Sequence, residues 1–109
     1  MRDHNIFVTI AIPFYNSECF LADAIQSVVN QTYINWELLL MDDNGTDGSR
    51  KIAEKFAAKD KRIRLVSDNE NHGLPSRLNE SVELAKGEIY VRMDDDDIMV
   101  ADRVETQVE

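Results

Sequence analysis

The chain is poor in the residues that build disulfide frameworks, turn-rich scaffolds and anion-binding surfaces: one cysteine, two prolines, four glycines, and 12 basic residues against 21 acidic ones. Each shortage excludes something. Cys19 alone cannot close an internal disulfide, which fits a reducing compartment. With no His or Asp pattern around it, it reads as a small buried hydrophobe, not a nucleophile. A net charge of -9 argues against nucleic acid as a partner, because affinity for a phosphate backbone rests on clustered Lys and Arg. Any phosphate group must be reached through a metal ion or backbone amides. The opening Met1-Arg2-Asp3-His4-Asn5 is too short and polar for a signal peptide, and no apolar run reaches spanning length. The chain reads as cytoplasmic, with membrane contact expected only through regions outside it. Neither G-x-G-x-x-G nor G-x-x-x-x-G-K-[ST] occurs, so a dehydrogenase fingerprint and a P-loop are both excluded.

What is present is alternation, within a length that fits one domain. Residues 6–12 form an apolar, β-rich run that Pro13 should stop, since proline cannot donate to a ladder. After the loop Pro13-Phe14-Tyr15-Asn16, the positions Phe20, Leu21, Ala24, Ile25, Val28 and Val29 recur at helical spacing. Asn16 or Ser17 is the expected N-cap, and Gln31 lies near the end. Residues 36–41 make a second apolar run that terminates in Asp42-Asp43, ahead of the turn-rich Asn44-Gly45-Thr46-Asp47-Gly48. The spacing predicts a second helix over 49–59, with Ile52, Ala53, Phe56 and Ala57 inward and Lys51, Lys55 and Lys59 outward.

Residues 62–67 make a third strand, and 68–73 a polar loop. Pro75 then suits a first helical turn, with Leu74, Leu78, Val82 and Ala85 marking the inward face and Gly87 the helix end. A fourth strand runs into Asp94, and a last helix from about 101 or 102 turns Val104 and Val108 inward. Strand and helix alternating at these distances imply right-handed crossovers and an α/β fold: a Rossmann-like, mostly parallel sheet with helices on both faces. The carboxyl ends of all strands then share one edge, where such sheets bind ligands at the point of strand-order reversal.

That edge is where the acids are. Ile89, Val91 and Met93 lead into Asp94-Asp95-Asp96-Asp97, and Ile98, Met99 and Val100 resume the apolar character at once. Neighbouring carboxylates repel by roughly 1 kcal/mol per pair even at water-like dielectric, so a held cluster needs a compensating cation. Hard oxygen ligands suit Mg²⁺ or Mn²⁺. The competing reading is a solvated acidic turn. For Asp42 and Asp43 the competing reading is turn capping. Response-regulator receivers and haloacid-dehalogenase-type phosphatases want acids after the first strand, which here ends in Pro13.

Four ordered segments carry a family likeness: Thr9-Ile10-Ala11-Ile12-Pro13-Phe14-Tyr15-Asn16, Asn30-Gln31-Thr32-Tyr33, Asp42 through Ser49, and Arg92-Met93 with the four acids. Together with Asp102-Arg103, they resemble the nucleotide-sugar half of family 2 inverting glycosyltransferases of the GT-A fold. The resemblance implies that residues 1–109 bind a UDP-sugar, with the acceptor-binding half lying elsewhere. It implies Asp43 as a hydrogen-bond acceptor for uracil, with Asp42 beside it, and Pro13 and Tyr15 framing the base. Asp94-x-Asp96 matches the D-x-D element: Asp96 as ligand of Mn²⁺ or Mg²⁺, Asp94 for ribose or metal, Asp95 at the variable place, and Asp97 as structural.

Departures qualify it. Asn44-Gly45 stands where many relatives read Gly-Ser, and Arg77 sits one place earlier than the usual arginine, about 100° around a helix. Arg77 is therefore a candidate for the diphosphate, with a solvent-facing charge as the alternative. Arg92 pairs with an acid either functionally or structurally, His72 reads as a plain loop residue, and Trp36 as packing. The general base of inverting transfer is expected beyond Glu109, so donor binding with little or no transfer is expected of these residues alone. The implied reaction moves a hexose or N-acetylhexosamine to a glycan or lipid-linked acceptor. A non-catalytic nucleotide or metal module, or a metal-dependent phosphotransfer domain, are the alternatives. The strand bearing Met93 should be an open sheet edge, an invitation to homodimerise.

Overall fold

Seven consecutive buried residues make β1 (Val8–Phe14) the axis of the sheet. The computed structural model describes residues 5–108; the polar opening at 1–4 and Glu109 lie outside the described residues. All pairings are parallel, with β2 (Trp36–Asp42) on one side of β1, β3 (Ile63–Val66) beyond it, and β4 (Ile89–Arg92) on the other side. The order is β3-β2-β1-β4, so strand order reverses between β1 and β4. A right-handed crossover puts its helix on opposite faces for opposite directions of travel. The helices obey this. α1 (Leu21–Val29), α2 (Ser49–Lys59) and the short α4 (Arg103–Val108) cover the face of Ile10, Ile12 and Phe14, while α3 (Leu74–Leu84) packs on β1 and β2 from the other.

The larger core joins Ile10, Ile12, Leu38 and Leu40 to Leu21, Ile25, Val28, Val104 and Val108. Each such fully buried aliphatic side chain contributes about 1.5–3 kcal/mol. The smaller cluster, Ala11, Leu39 and Met41, lies under α3 with Leu84 and Tyr90. β4 is an edge among the described strands, and no helix among the described residues is long and apolar enough to cross a membrane.

Four expectations need correction. β1 does not stop before Pro13, which pairs in register with Met41. The ladder to β4 ends at Ala11 and Arg92, and the Ala11 carbonyl accepts from Met93 N on that side. Backbone groups alternate sides along a strand, so the position of Pro13's missing N–H faces beyond the ladder and costs nothing there. α1 starts at Leu21, not after Asn16 or Ser17, and its N-cap Phe20 makes no side-chain cap. The Ser17 and Glu18 amides are held instead by Ser49 Oγ and Asp47 Oδ2, at 2.8 and 3.0 Å. The tight turn this creates leaves Phe20 58% exposed and Cys19 exposed, so neither is the buried residue expected.

The inward face of α3 is the fourth. Leu74 and Val82 are exposed, while Arg77 and Ser81 are buried. Ser81 Oγ meets the Tyr90 hydroxyl at 2.6 Å, and Arg77 meets three carboxylates. Charge-assisted bonds of about 1.5–3 kcal/mol each outweigh the burial of two half-exposed aliphatics. α2 keeps its predicted bounds and stripe, and Val104 and Val108 turn inward on α4 as expected.

Candidate functional site

The loops after β1 and β2 are clasped together. Asn16 takes φ 48, and its Oδ1 accepts from the amides of Thr46 and Asp47 at 2.7 and 3.3 Å. A Cβ at Gly45 would collide with that oxygen, which is why a glycine stands there. Glu18 Oε1 accepts from Gly48 N at 2.6 Å. Pro13 is thereby buried and Tyr15 presented, 44% exposed, at the carboxyl edge.

Asp42 ends β2 and Asp43 follows it, both 2% exposed. Asp42 caps a turn: Oδ1 accepts from Asn44 N at 2.9 Å and Oδ2 from Ser67 Oγ at 3.2 Å. Asp43 has a fuller set. His72 N and Arg77 Nε donate to Oδ1 at 2.9 and 3.1 Å, Asn71 Nδ2 to Oδ2 at 3.0 Å, and Gly73 N to both. The loop reaches this geometry through Gly73, whose φ of 89 disfavours any side chain.

Arg77 is the hub behind it, 1% exposed, which overturns the solvent-facing alternative. Besides Asp43, it donates to Asp68 Oδ1 at 2.8 Å, to Glu80 Oε1 at 3.1 Å and to the Glu70 carbonyl. The Arg77 guanidinium holds the Asp68 carboxyl far below the usual carboxylate range, and Asp68 with Asp43 and Glu80 hold Arg77 protonated well above its ordinary value. A cavity of about 330 Å³ opens beside Arg77, lined by Asp68, His72, Glu80 and Glu83. Three carboxylates in that lining make it a poor place for a diphosphate.

The acids after β4 form a turn tied at both ends. Met93 N donates to the Ala11 carbonyl at 2.9 Å and Met99 N to Ser27 Oγ at 3.0 Å, with both methionines buried. Within it, Asp97 N donates to the Asp94 carbonyl at 3.1 Å and Asp94 N to Asp97 Oδ2 at 3.3 Å. One carboxylate oxygen each from Asp94, Asp96 and Asp97 lies within 4.8 Å of the others, all three residues exposed. The nearby cation is Arg92, 3.3 Å from Asp94 and itself 61% exposed. An all-oxygen, partly open donor set of this kind fits Mg²⁺ or Mn²⁺. Asp97 keeps a structural role, its Oδ2 accepting from Asp94 N, and also offers an oxygen beside those of Asp94 and Asp96.

Asp95 turns the other way, accepting from Tyr15 N at 3.3 Å. Burial pushes its carboxyl up, and the Asp96 charge adds to this against the Tyr15 amide. The structure therefore brings Tyr15 and the acidic turn together at the β1/β4 reversal, with Asp43 and Arg77 grouped on the β2 side. A second trio, Asp68, Glu70 and His72, is similarly close. It is tied up within the protein, since Arg77 holds Asp68 and His72 Nε2 lies 3.0 and 3.1 Å from the Asp68 and Glu70 carboxylates.

Sequence reasoning missed Asn71, Asp68 and Gln31 as organisers. Gln31, 5% exposed, donates to the Val100 carbonyl at 2.7 Å and accepts from Val104 N at 3.1 Å, pinning the segment after the acids to α1. Its place in the quoted Asn30-Gln31-Thr32-Tyr33 segment was the available signal.

Residues 9–109 match the family model for glycosyl transferase family 2. The chain is 40% identical over 102 residues to a putative glycosyltransferase, EpsE, of Bacillus subtilis, covering 93% of this chain and 37% of that protein. It is 37% identical over 101 residues to the Escherichia coli UDP-Glc:alpha-D-GlcNAc-diphosphoundecaprenol beta-1,3-glucosyltransferase WfgD, covering 93% and 39%. The chain thus spans well under half the length of these relatives. Among solved structures, S. aureus TarS 1-349 in complex with UDP-GlcNAc matches with a TM-score of 0.85 and 25% identity, over 94% of this chain and 30% of that one. The mannosyltransferase PcManGT of Pyrobaculum calidifontis, in complex with GDP-Man and Mn2+, matches with a TM-score of 0.76 and 26% identity, over 88% and 30%. With a family match that runs from Thr9 to the last residue, on a parallel α/β sheet like those of solved glycosyltransferases, the chain belongs to glycosyl transferase family 2.

Proposed function

We propose that this chain is the donor-binding half of an inverting glycosyltransferase, holding a UDP-sugar through a divalent cation for transfer of a hexose or N-acetylhexosamine. The acceptor is a glycan or lipid-linked saccharide, met at the cytoplasmic face of a membrane through parts of the protein outside this chain. The observation that carries the reading is the tethered turn in which Asp94, Asp96 and Asp97 converge at the β1/β4 reversal. Relatives and neighbours that use UDP-Glc, or were solved with UDP-GlcNAc or with GDP-Man and Mn2+, support it.

Asp94, Asp96 and Asp97 would hold Mn²⁺ or Mg²⁺, which when bound neutralises charge on the departing nucleoside diphosphate. Tyr15 and Pro13 frame the base, and Asp95 braces Tyr15 by accepting from its amide. Asp43 accepts the ring N–H of uracil, and Arg77 Nε, 3.1 Å from Oδ1, keeps that carboxylate aimed. A carboxylate acceptor discriminates, because a base without the matching donor forms no hydrogen bond with it. The general base for the acceptor hydroxyl is supplied outside this chain. The open β4 edge supports pairing with a second copy, and a monomer by light scattering at high concentration would remove that part of the reading.

The test is calorimetric titration of UDP with and without Mn²⁺, in the wild type and in Asp96→Asn and Asp43→Asn. Binding should need Mn²⁺, vanish in Asp96→Asn, and lose its preference for UDP over CDP in Asp43→Asn. Equal binding with and without Mn²⁺ would overturn the metal assignment.

A further inference from the structure

We infer that Asn71 is a built-in competitor for the nucleobase, and so sets how strongly this site prefers uracil. The inference rests on the reading of Asp43 as the base acceptor. Asp43 is 2% exposed, and four groups donate to its two oxygens. A carboxylate has about four lone-pair sites, so an incoming N–H must replace one of those donors.

Three of the four cannot leave cheaply. The amides of His72 and Gly73 are backbone groups of the loop that folds over Asp43, and Arg77 is a buried cation whose release would strand its charge. The fourth is the side-chain amide of Asn71, an exposed residue, 3.0 Å from Asp43 Oδ2 and equally 3.0 Å from the Asp43 carbonyl. Rotation about its side chain returns that amide to water at little cost. The donor it surrenders at Oδ2 is of the same kind as the ring N–H of uracil, so at that oxygen one N–H replaces another, while the Asp43 carbonyl gives up its contact with Asn71.

Two consequences follow. Uracil binding gains less from Asp43 than an open carboxylate would offer, because the hydrogen bond it forms replaces an existing one. Cytosine, which presents a lone pair at the equivalent ring nitrogen, cannot make the exchange and leaves Asn71 where it is. Asn71 thus taxes the correct base and leaves the wrong one untouched.

The experiment measures UDP and CDP affinity by calorimetry with Mn²⁺ in the wild type, Asn71→Ala, Asn71→Ser, Asp43→Asn and the Asn71→Ala/Asp43→Asn double variant. Thermal melts confirm that each is folded. Asn71→Ala and Asn71→Ser should tighten UDP by about fivefold, the worth of one recovered hydrogen bond. CDP should not change, and the gain should disappear in the double variant. Weaker or unchanged UDP binding in both Asn71 variants overturns the inference, as does an equal change for UDP and CDP, which is what a purely structural role would give. The Asp43→Asn arm separates the two ideas. If the UDP preference survives it, Asp43 does not read the base. If the preference is lost there but Asn71→Ala fails to tighten UDP, the base reading stands and the competitor role does not.

Discussion

Asp43 and Asp96 follow two strands of one sheet, β2 and β4, at the same edge, and the fold treats them in opposite ways. Asp43 is buried, with donors on both oxygens and Arg77 at 3.1 Å. Asp96 is exposed and lies within 4.8 Å of oxygens from Asp94 and Asp97. The first carboxylate is answered by the protein's own donors, so its charge is spent on holding β2, the 68–73 loop and α3 together. In the second group, like charges are held near one another by backbone ties at Met93 and Met99. That arrangement is stable only because it is short and solvated, and it leaves lone pairs for an incoming cation. A carboxylate's environment, not its identity, decides whether it meets a ligand with free lone pairs or only by releasing a donor the fold already supplies.

Breaking the buried side should cost most. Asp43→Ala removes a partner from buried Arg77 and should destabilise by about 3 kcal/mol in urea unfolding, whereas Asp96→Ala should stay within about 0.5 kcal/mol. Equal costs would dissolve the contrast. Binding should invert that ranking. Titration of Mn²⁺ alone should show affinity falling at least about tenfold in Asp96→Asn and holding in Asp43→Asn. Next comes the loop over Asp43: Gly73→Ala, at φ 89, should lower stability by about 1 kcal/mol, read as a shift in the urea midpoint.

The smallest effect concerns acid. Asp68 titrates well below its ordinary 3.8 because Arg77 pairs with it. A depressed carboxyl stabilises the fold fully above its unfolded value, and that contribution is lost as pH falls below about 3.8 toward the folded one. Asp68→Asn should therefore lower stability slightly at neutral pH, slightly because the pair is screened by solvent, and flatten the decline below pH 3.8 by that same amount. An unaltered acid limb would show that Asp43 and Glu80 suffice to hold Arg77.

Legibility followed locality. The bounds of α2 and the inward Val104 and Val108 were readable because each depends on residues a few places apart; the apolar flanks of the four acids announced a held turn, but its tethers at Ala11 and Ser27 lie far off in sequence. The parallel sheet followed from the alternation of strand and helix alone. The misread elements depend on distant partners. Pro13 enters β1 because β4 stops short of it, and α1 starts late because Ser49 and Asp47 hold the Ser17 and Glu18 amides. The polar inner face of α3 needs Asp43, 34 positions away.

Sequence by itself determined the α/β class, the strand-end placement of the acids, and the exclusion of basic-patch and glycine-loop chemistry. Periodicity, turn residues and charge act over a handful of residues, and they survive any arrangement of the whole. Only the tertiary structure decided that Asp43 is filled and Asp96 open, that Asp97 joins the candidate metal ligands, and that Arg77 is a hub and not a surface charge. Those outcomes turn on which donors from separate loops reach which oxygen, and distance in the chain carries no record of that.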